Sequence, residues 1–227
     1  MTTSDAHSQK HLQPLQQQAL ALGDRLPGAT PGTLAVDPPR QPASLEIIAY
    51  SANEMTDLVG LVLHDVKNLR RNFEVCWVNV VGVDDSATLQ AIGKEFGIHQ
   101  LVLEDIQHTN QRPKSEVHGE VLFMVVPMPD DDGQLEQMSI LLGKDFVLTF
   151  NERPGDCFQV IRRRLQFEHL RLRQSLADYL GYTLVDAIVD RFAPLLDDVH
   201  EAIDELDDVH EAIDELEDRI LHRARPE

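Results

Sequence analysis

Apolar residues recur along this chain with two periods, and the change between them sets out its organisation. EIIAY, FEVCWVNV, EVLFMVVPM, QLEQMSILLG and KDFVLTF carry the β-branched and aromatic character of strands. The last three are joined by an acidic turn at Asp130-Asp131-Asp132-Gly133 and a tight turn at Gly143-Lys144, which predicts an antiparallel meander. Between the strands, SATLQAIGKEFG has helical spacing, with Asp84 placed to cap its start and Gly97 to end it. A second short helix is expected from His99 to Ile106. Asn151 to Gly155 breaks the pattern, and Asp156 is placed to cap a helix over CFQVIRRRLQ. Strands with helices around and after them predict an α/β fold with a mixed sheet.

After Ser175 the period is helical to about Leu221, interrupted by Gly181 and by Pro194, which should kink or restart the helix just after Phe192-Ala193. DDVHEAIDEL then occurs twice in tandem, at Asp197 to Leu206 and Asp207 to Leu216, without a single difference. Val199, Ile203, Leu206, Val209, Ile213, Leu216 and Ile220 step by three or four, so the duplication keeps one apolar stripe. Ten added residues carry everything downstream about 15 Å further and turn it by about 80° in a straight helix. Such a helix can pack against a partner helix while its acidic remainder stays in water or holds counter-ions.

Residues 1–43 are rich in Gln, Pro, Gly and Thr without a sustained period and read as a disordered tail, with a short helix near Gln16 to Leu22. His7 and His11 would share a face if helical, but a disordered terminus makes them poor ligands. The expected organisation is therefore this tail, an α/β domain over 44–174, and a long acidic helical segment over 175–227.

Charge narrows the function. The formal net charge of -19 disfavours nucleic acid and favours cations and basic partners. Asp197 to Asp218 holds twelve acidic residues and no Lys or Arg, whereas Arg162 to Arg173 is strongly basic and is expected to neutralise the acidic helix. No window approaches 18 consecutive apolar residues and the N-terminus lacks signal-peptide order, so the chain as given is expected to be soluble and cytoplasmic. Cys76 and Cys157 lie in no paired motif and read as buried thiols.

Candidate chemistry is limited. No nucleophile triad, glycine-rich phosphate loop, HExxH or EF-hand pattern is present, so no enzyme is expected. The Asp130-Asp131-Asp132-Gly133 run lacks the alternating ligands of a calcium loop and reads as a solvated hairpin. His200 and His210 lie on different faces of their helix. The informative stretch is LVLEDIQHTNQRPK, Leu101 to Lys114, which sets Glu104-Asp105 at the end of an apolar helical run and leads through Arg-Pro-Lys into a strand. Adjacent helical carboxylates point about 100° apart, so each reaches a different neighbour. That geometry suits a site shared between surfaces. In YTLVDAIVDRF, Asp186 and Asp190 share a helix face between apolar residues expected to be buried, which requires a cation, either Arg191 or another Arg, or a metal ion.

Three separated segments, WVNVVGVDDSATLQAIGKEFGIHQLVLEDIQHTNQRPKSEVHGEVLFMVV, EQMSILLGKDFVLTFNERPGDCFQVIRRRL and DYLGYTLVDAIVDRFAPLLDDVHEAIDELED, occur in the order seen in one family. From about Leu45 to His222 the chain resembles the cytosolic domain of the CorA family of magnesium and cobalt channels. The resemblance implies an α/β/α sandwich with a mixed, largely antiparallel sheet followed by long C-terminal helices. It also implies a homopentamer at the cytoplasmic side of a bacterial inner membrane, with Mg²⁺, or Co²⁺, as the ion. By the same resemblance Asp105 and Glu104 fall on an interfacial metal-sensing pair and Asp186 on a further acidic position, with Asp190 nearby.

Two carboxylates about 4 Å apart repel by roughly 1 kcal/mol in water and about 4 at an effective dielectric of 20, and a divalent ion reverses the sign. Because Mg²⁺ keeps much of its water and needs one or two carboxylates, such a site should be weak and responsive. Neither the family's membrane helices, nor its stalk with the acidic partner of the Asp105 position, nor its Gly-Met-Asn signature occurs in these 227 residues, so membrane contact is expected only through segments outside them. The alternatives are a ZntB-type zinc transporter domain, which would gather histidines such as His99, His108 and His118, and a stand-alone Mg²⁺-binding interaction module. A Mg²⁺-dependent hydrolase is more distant.

Overall fold

The computed structural model describes residues 42–60, 63–130 and 132–223, together with Gly32 and Leu34. The expected short helix at 16–22, His7 and His11, and Asp131 of the acidic turn lie outside the described residues.

Seven strands form one sheet: β1 (Ser44–Tyr50), β2 (Met55–Val59), β3 (Val75–Val81), β4 (Lys114–His118), β5 (Val121–Pro129), β6 (Leu135–Leu142) and β7 (Phe146–Asn151), in the order β2-β1-β3-β7-β6-β5-β4. Every neighbouring pair is antiparallel except β3 and β7, which run parallel with Cys76 opposite Phe146. The predicted three-strand meander is β5 to β7, and β4 extends it by one antiparallel strand outside that prediction. Two central strands, β3 and β7, read as continuous apolar runs because both faces of the sheet are covered.

Helices α1 (Leu63–Asn72), α2 (Ser86–Phe96) and α3 (Gln100–Gln107) cover one face, where Leu89, Ile92, Val102, Leu103 and Ile106 pack on Ile47, Val78, Val80 and Leu148. Helices α4 (Gln159–Leu165) and α5 (Ala177–Asp190) cover the other, where Ile161, Leu165, Leu180, Leu184 and Ile188 pack on Ile48, Trp77, Ile140 and Val147. This is the expected α/β/α sandwich with a mixed, largely antiparallel sheet.

Local expectations are corrected at several points. Asp85, not Asp84, caps α2: its Oδ1 accepts the Thr88 N–H at 3.2 Å and its Oδ2 the Thr88 hydroxyl at 2.7 Å. Gly97 ends the helix in the left-handed region at φ 69°, as read. Asp156 does not cap α4, which begins at Gln159 after Phe158. It accepts the Phe158 N–H instead, while both its oxygens hold Arg162, at 2.6 and 2.7 Å.

Nor do the arginines from 162 to 173 neutralise the acidic helix. Arg162 is gripped by Asp156 and Glu46, and Arg173 donates to the carbonyls of Ser51 and Leu165. Among the described side chains none of these arginines meets α6 (Ala193–Arg223).

The chain bends at Arg191-Phe192, and Pro194 falls in the first turn of α6, where its missing N–H costs nothing. Leu195 lies against the β5–β6 turn, 3.2 Å from where a Cβ on Gly133 would be. Beyond that turn Val199, Ile203, Leu206, Val209, Ile213 and Leu216 are all about half exposed or more. Among the described residues no helix is long and apolar enough to cross a membrane. Cys76 is buried in the first core and Cys157 half-buried. Both are free thiols, pushed up by burial to about 12 and about 11.

Candidate metal site

Helix α3 is short, and four sets of contacts hold it. Its apolar positions Val102, Leu103 and Ile106 face the sheet. At its start the His99 Nδ1 accepts the Leu101 N–H at 3.2 Å. At its end the N–H of His108 donates to the Glu104 carbonyl at 3.0 Å, and the His108 ring Nδ1 lies 2.8 Å from the same oxygen. Gln137 on β6 fastens that end to the sheet, donating from Nε2 to the Asp105 carbonyl at 3.1 Å and accepting the Gln111 N–H at 2.9 Å.

The two candidate carboxylates on α3 diverge. Glu104 is buried, and its Oε2 accepts the backbone N–H of Gly32 at 2.5 Å. Asp105 stays at the surface edge, its side chain 22% exposed, with Oδ2 accepting from the Lys114 ammonium at 2.6 Å. Lys114 opens β4 and also lies 3.3 Å from Glu116 Oε1 and 5.4 Å from the Phe123 ring centre. Burial works against its charge, but the hydrogen bonds and charges of Asp105 and Glu116 offset this and hold Lys114 above the ordinary lysine value. The hydrogen bond with His118, and then that with Lys114, hold Glu116 below the usual glutamate range. Spacing had pointed to the carboxylates and had left Lys114 as part of a strand lead-in; nine residues separate it from Asp105.

Asp186 and Asp190 lie on α5, and both are exposed. The apolar residues around them are buried as expected, Leu184 and Ile188 among them, but the expected need for a cation partner is corrected: both carboxylates face outward, and Arg191 Nε donates to the Pro129 carbonyl at 3.2 Å. Neither aspartate has a hydrogen bond or ion pair within the described chain.

Helices α3 and α5 pack on opposite faces of one sheet. Within a single chain, Asp105 and Asp186 are thus separated by the full thickness of the sheet. Among the described residues no three His, Cys, Asp or Glu side chains gather as a metal set. Of the scattered histidines, His99 and His118 stack with ring centres 6.5 Å apart, while His108 is turned to Glu104. The donors present fit a hydrated hard cation taking one carboxylate from each of two surfaces, and Glu104 fits only if it leaves Gly32.

The model of the family described as CorA-like Mg2+ transporter protein matches residues 72–224. The chain is 36% identical over 185 residues to the cobalt/magnesium transport protein CorA of Thermotoga maritima, covering 79% of this chain and 53% of that protein. It thus spans about half the length of that relative. The fold is similar to the soluble domain of CorA from Methanocaldococcus jannaschii, with a TM-score of 0.53 at 14% identity over 77% of this chain and 66% of that one. It is also similar to the ZntB cytoplasmic domain of Vibrio parahaemolyticus, with a TM-score of 0.55 at 10% identity over 73% of this chain and 65% of that one. At such identities these two likenesses speak for the fold alone and do not separate CorA from ZntB. The sequence match does: this chain belongs to the family of CorA-like Mg²⁺ transporter proteins.

Proposed function

We propose that this chain is the cytosolic, cation-sensing region of a CorA-type divalent-cation transport protein, with Asp105 as one side of a Mg²⁺ site between adjacent subunits of a homopentamer and Asp186 as a further carboxylate brought to it from the neighbouring subunit, beside the stalk carboxylate that these 227 residues do not include. Conduction is assigned to the part of the family's length that this chain does not span. The observation that carries the reading is the placement of the two carboxylates: each is at a surface, and the sheet stands between them. Brought together from neighbouring subunits, Asp105 and Asp186 repel each other, and a bound divalent cation supplies the charge that turns that repulsion into cohesion. Each side chain contributes one carboxylate and leaves the rest of the shell to water, which suits Mg²⁺. Asp190, one turn from Asp186, adds negative field to the same surface. Glu104 serves the site from behind by fixing the end of α3.

The experiment is protease or heat protection of the assembled protein across a magnesium chloride titration at constant ionic strength. Wild type gains protection as Mg²⁺ rises, and Asp105→Ala with Asp186→Ala loses most of that gain while still assembling. Undiminished Mg²⁺ dependence in the assembled double variant sinks the assignment. Zinc chloride in the same titration tests the zinc alternative, which requires protection at lower Zn²⁺ than Mg²⁺ and its loss on His99→Ala with His118→Ala.

A further inference from the structure

Asp105 is not waiting empty-handed. Its Oδ2 is held at 2.6 Å by the ammonium of Lys114, a side chain only 24% exposed whose Nζ lies 5.4 Å from the Phe123 ring centre. A carboxylate so occupied takes a metal ion less readily, because the ammonium on Oδ2 neutralises its charge and repels a second cation brought within a few ångströms of it. The ammonium also has somewhere to go: Glu116 Oε1 is already 3.3 Å away, and Glu116 is the more exposed carboxylate, at 45%.

We propose that Lys114 is a tethered competitor at the Asp105 site, which holds the carboxylate when divalent cation is scarce and moves to Glu116 when it is plentiful, so that it sets the concentration at which the site fills. The inference rests on the reading of Asp105 as a cation ligand. Two consequences follow from the linkage between tether and ion. Removing the competitor shifts the response to lower cation concentration, and removing its fallback partner shifts it to higher. A charge-assisted contact of this kind corresponds to a change of roughly tenfold in the midpoint. Lys114 acts through Asp105 and is a positioning residue rather than a ligand.

The test compares the midpoint of Mg²⁺-dependent protease protection in wild type, Lys114→Met, Glu116→Gln and Asp105→Asn, with magnesium chloride as the only variable. Methionine keeps an unbranched side chain of similar length and removes the charge. The expected result is a midpoint about tenfold lower in Lys114→Met, a higher one in Glu116→Gln, and no response in Asp105→Asn. An unchanged or raised midpoint in Lys114→Met, with Asp105→Asn unresponsive, overturns the competitor and leaves the site assignment standing. A normal response in Asp105→Asn removes both. Should Lys114→Met fail to fold, the wild-type protein decides alone: the Lys114 ¹⁵Nζ resonance should move with the same Mg²⁺ midpoint as the protection, and a resonance that stays fixed across the titration overturns the proposal.

Discussion

A Cβ built on Gly93 would stand 2.4 Å from the Cδ1 of Leu103, so α2 and α3 reach their present separation only because residue 93 carries no side chain. Leu103 is itself buried, one residue from Glu104. Gly93→Ala gains about 1 kcal/mol of helix propensity. Against that stands an overpacking cost of about 1–3 kcal/mol. The expected net effect is a loss of about 1 kcal/mol in urea denaturation. Adding Leu103→Val should recover most of it, which a clash elsewhere in α2 would not allow.

Arg162 is the keystone of the second face. Its guanidinium meets Glu46 and Asp156 at 2.5–2.9 Å and lies 5.1 Å from the Trp77 ring centre. Asp156 in turn accepts from Asn79, which accepts from Thr149, which accepts from Trp77. Arg162→Met strands two carboxylates in a half-buried site and is expected to cost about 3–5 kcal/mol. Lysine cannot reproduce the fork that serves both carboxylates, so Arg162→Lys should recover little. Glu46→Gln with Asp156→Asn in the Arg162→Met background should recover part of the loss.

Glu152 gives a pH signature. Burial and the neighbouring Glu136 carboxylate raise its carboxyl above the ordinary value of 4.5. The folded state therefore binds this proton more tightly than the unfolded chain. Stability contributed by the group is full below 4.5 and is lost as pH rises through the higher folded value. Glu152→Gln should be more stable than wild type at pH 7, with the difference closing as pH falls below about 4.5 in parallel urea titrations. A difference that persists unchanged at pH 4 would point to packing instead of charge.

The stripe on α6 should be nearly silent for folding. Ile203 and Ile213 are each 48% exposed, whereas Leu184 on α5 is fully buried. Ile203→Ser with Ile213→Ser is expected to change unfolding free energy by no more than about 0.5 kcal/mol per site. Leu184→Ala should cost about 2–5 kcal/mol. A large loss in the serine pair would mean that α6 is packed in solution against a second chain.

The central strands and α2, α3 and α5 were legible because each is apolar and strongly periodic, α3 even at eight residues. β2 and α1 were not: MTDLV is half-exposed at a sheet edge, and LHDVKNLRRN offers few apolar positions. The cap of α2 was missed by one residue because Asp84 and Asp85 have the same chemistry, and only the position of Thr88 decides between them. Asp156 was misread because its partner Glu46 on Arg162 comes from 116 residues away. At the candidate site the residue types were readable and so was their divergence around α3. What local pattern could not supply was direction: that Glu104 turns inward to Gly32 and Asp105 outward to Lys114.

The two-sided sheet also fixes the symmetry that any shared cation site can have. A contact that sets the α3 side of one subunit against the α5 side of the next joins unlike surfaces, and each subunit then still offers one free surface of each kind. Repeating such a heterologous contact leads to a closed ring or an open filament. An assembly built on that contact alone is therefore cyclic or unbounded, and the number of Asp105–Asp186 sites in a closed ring equals the number of subunits.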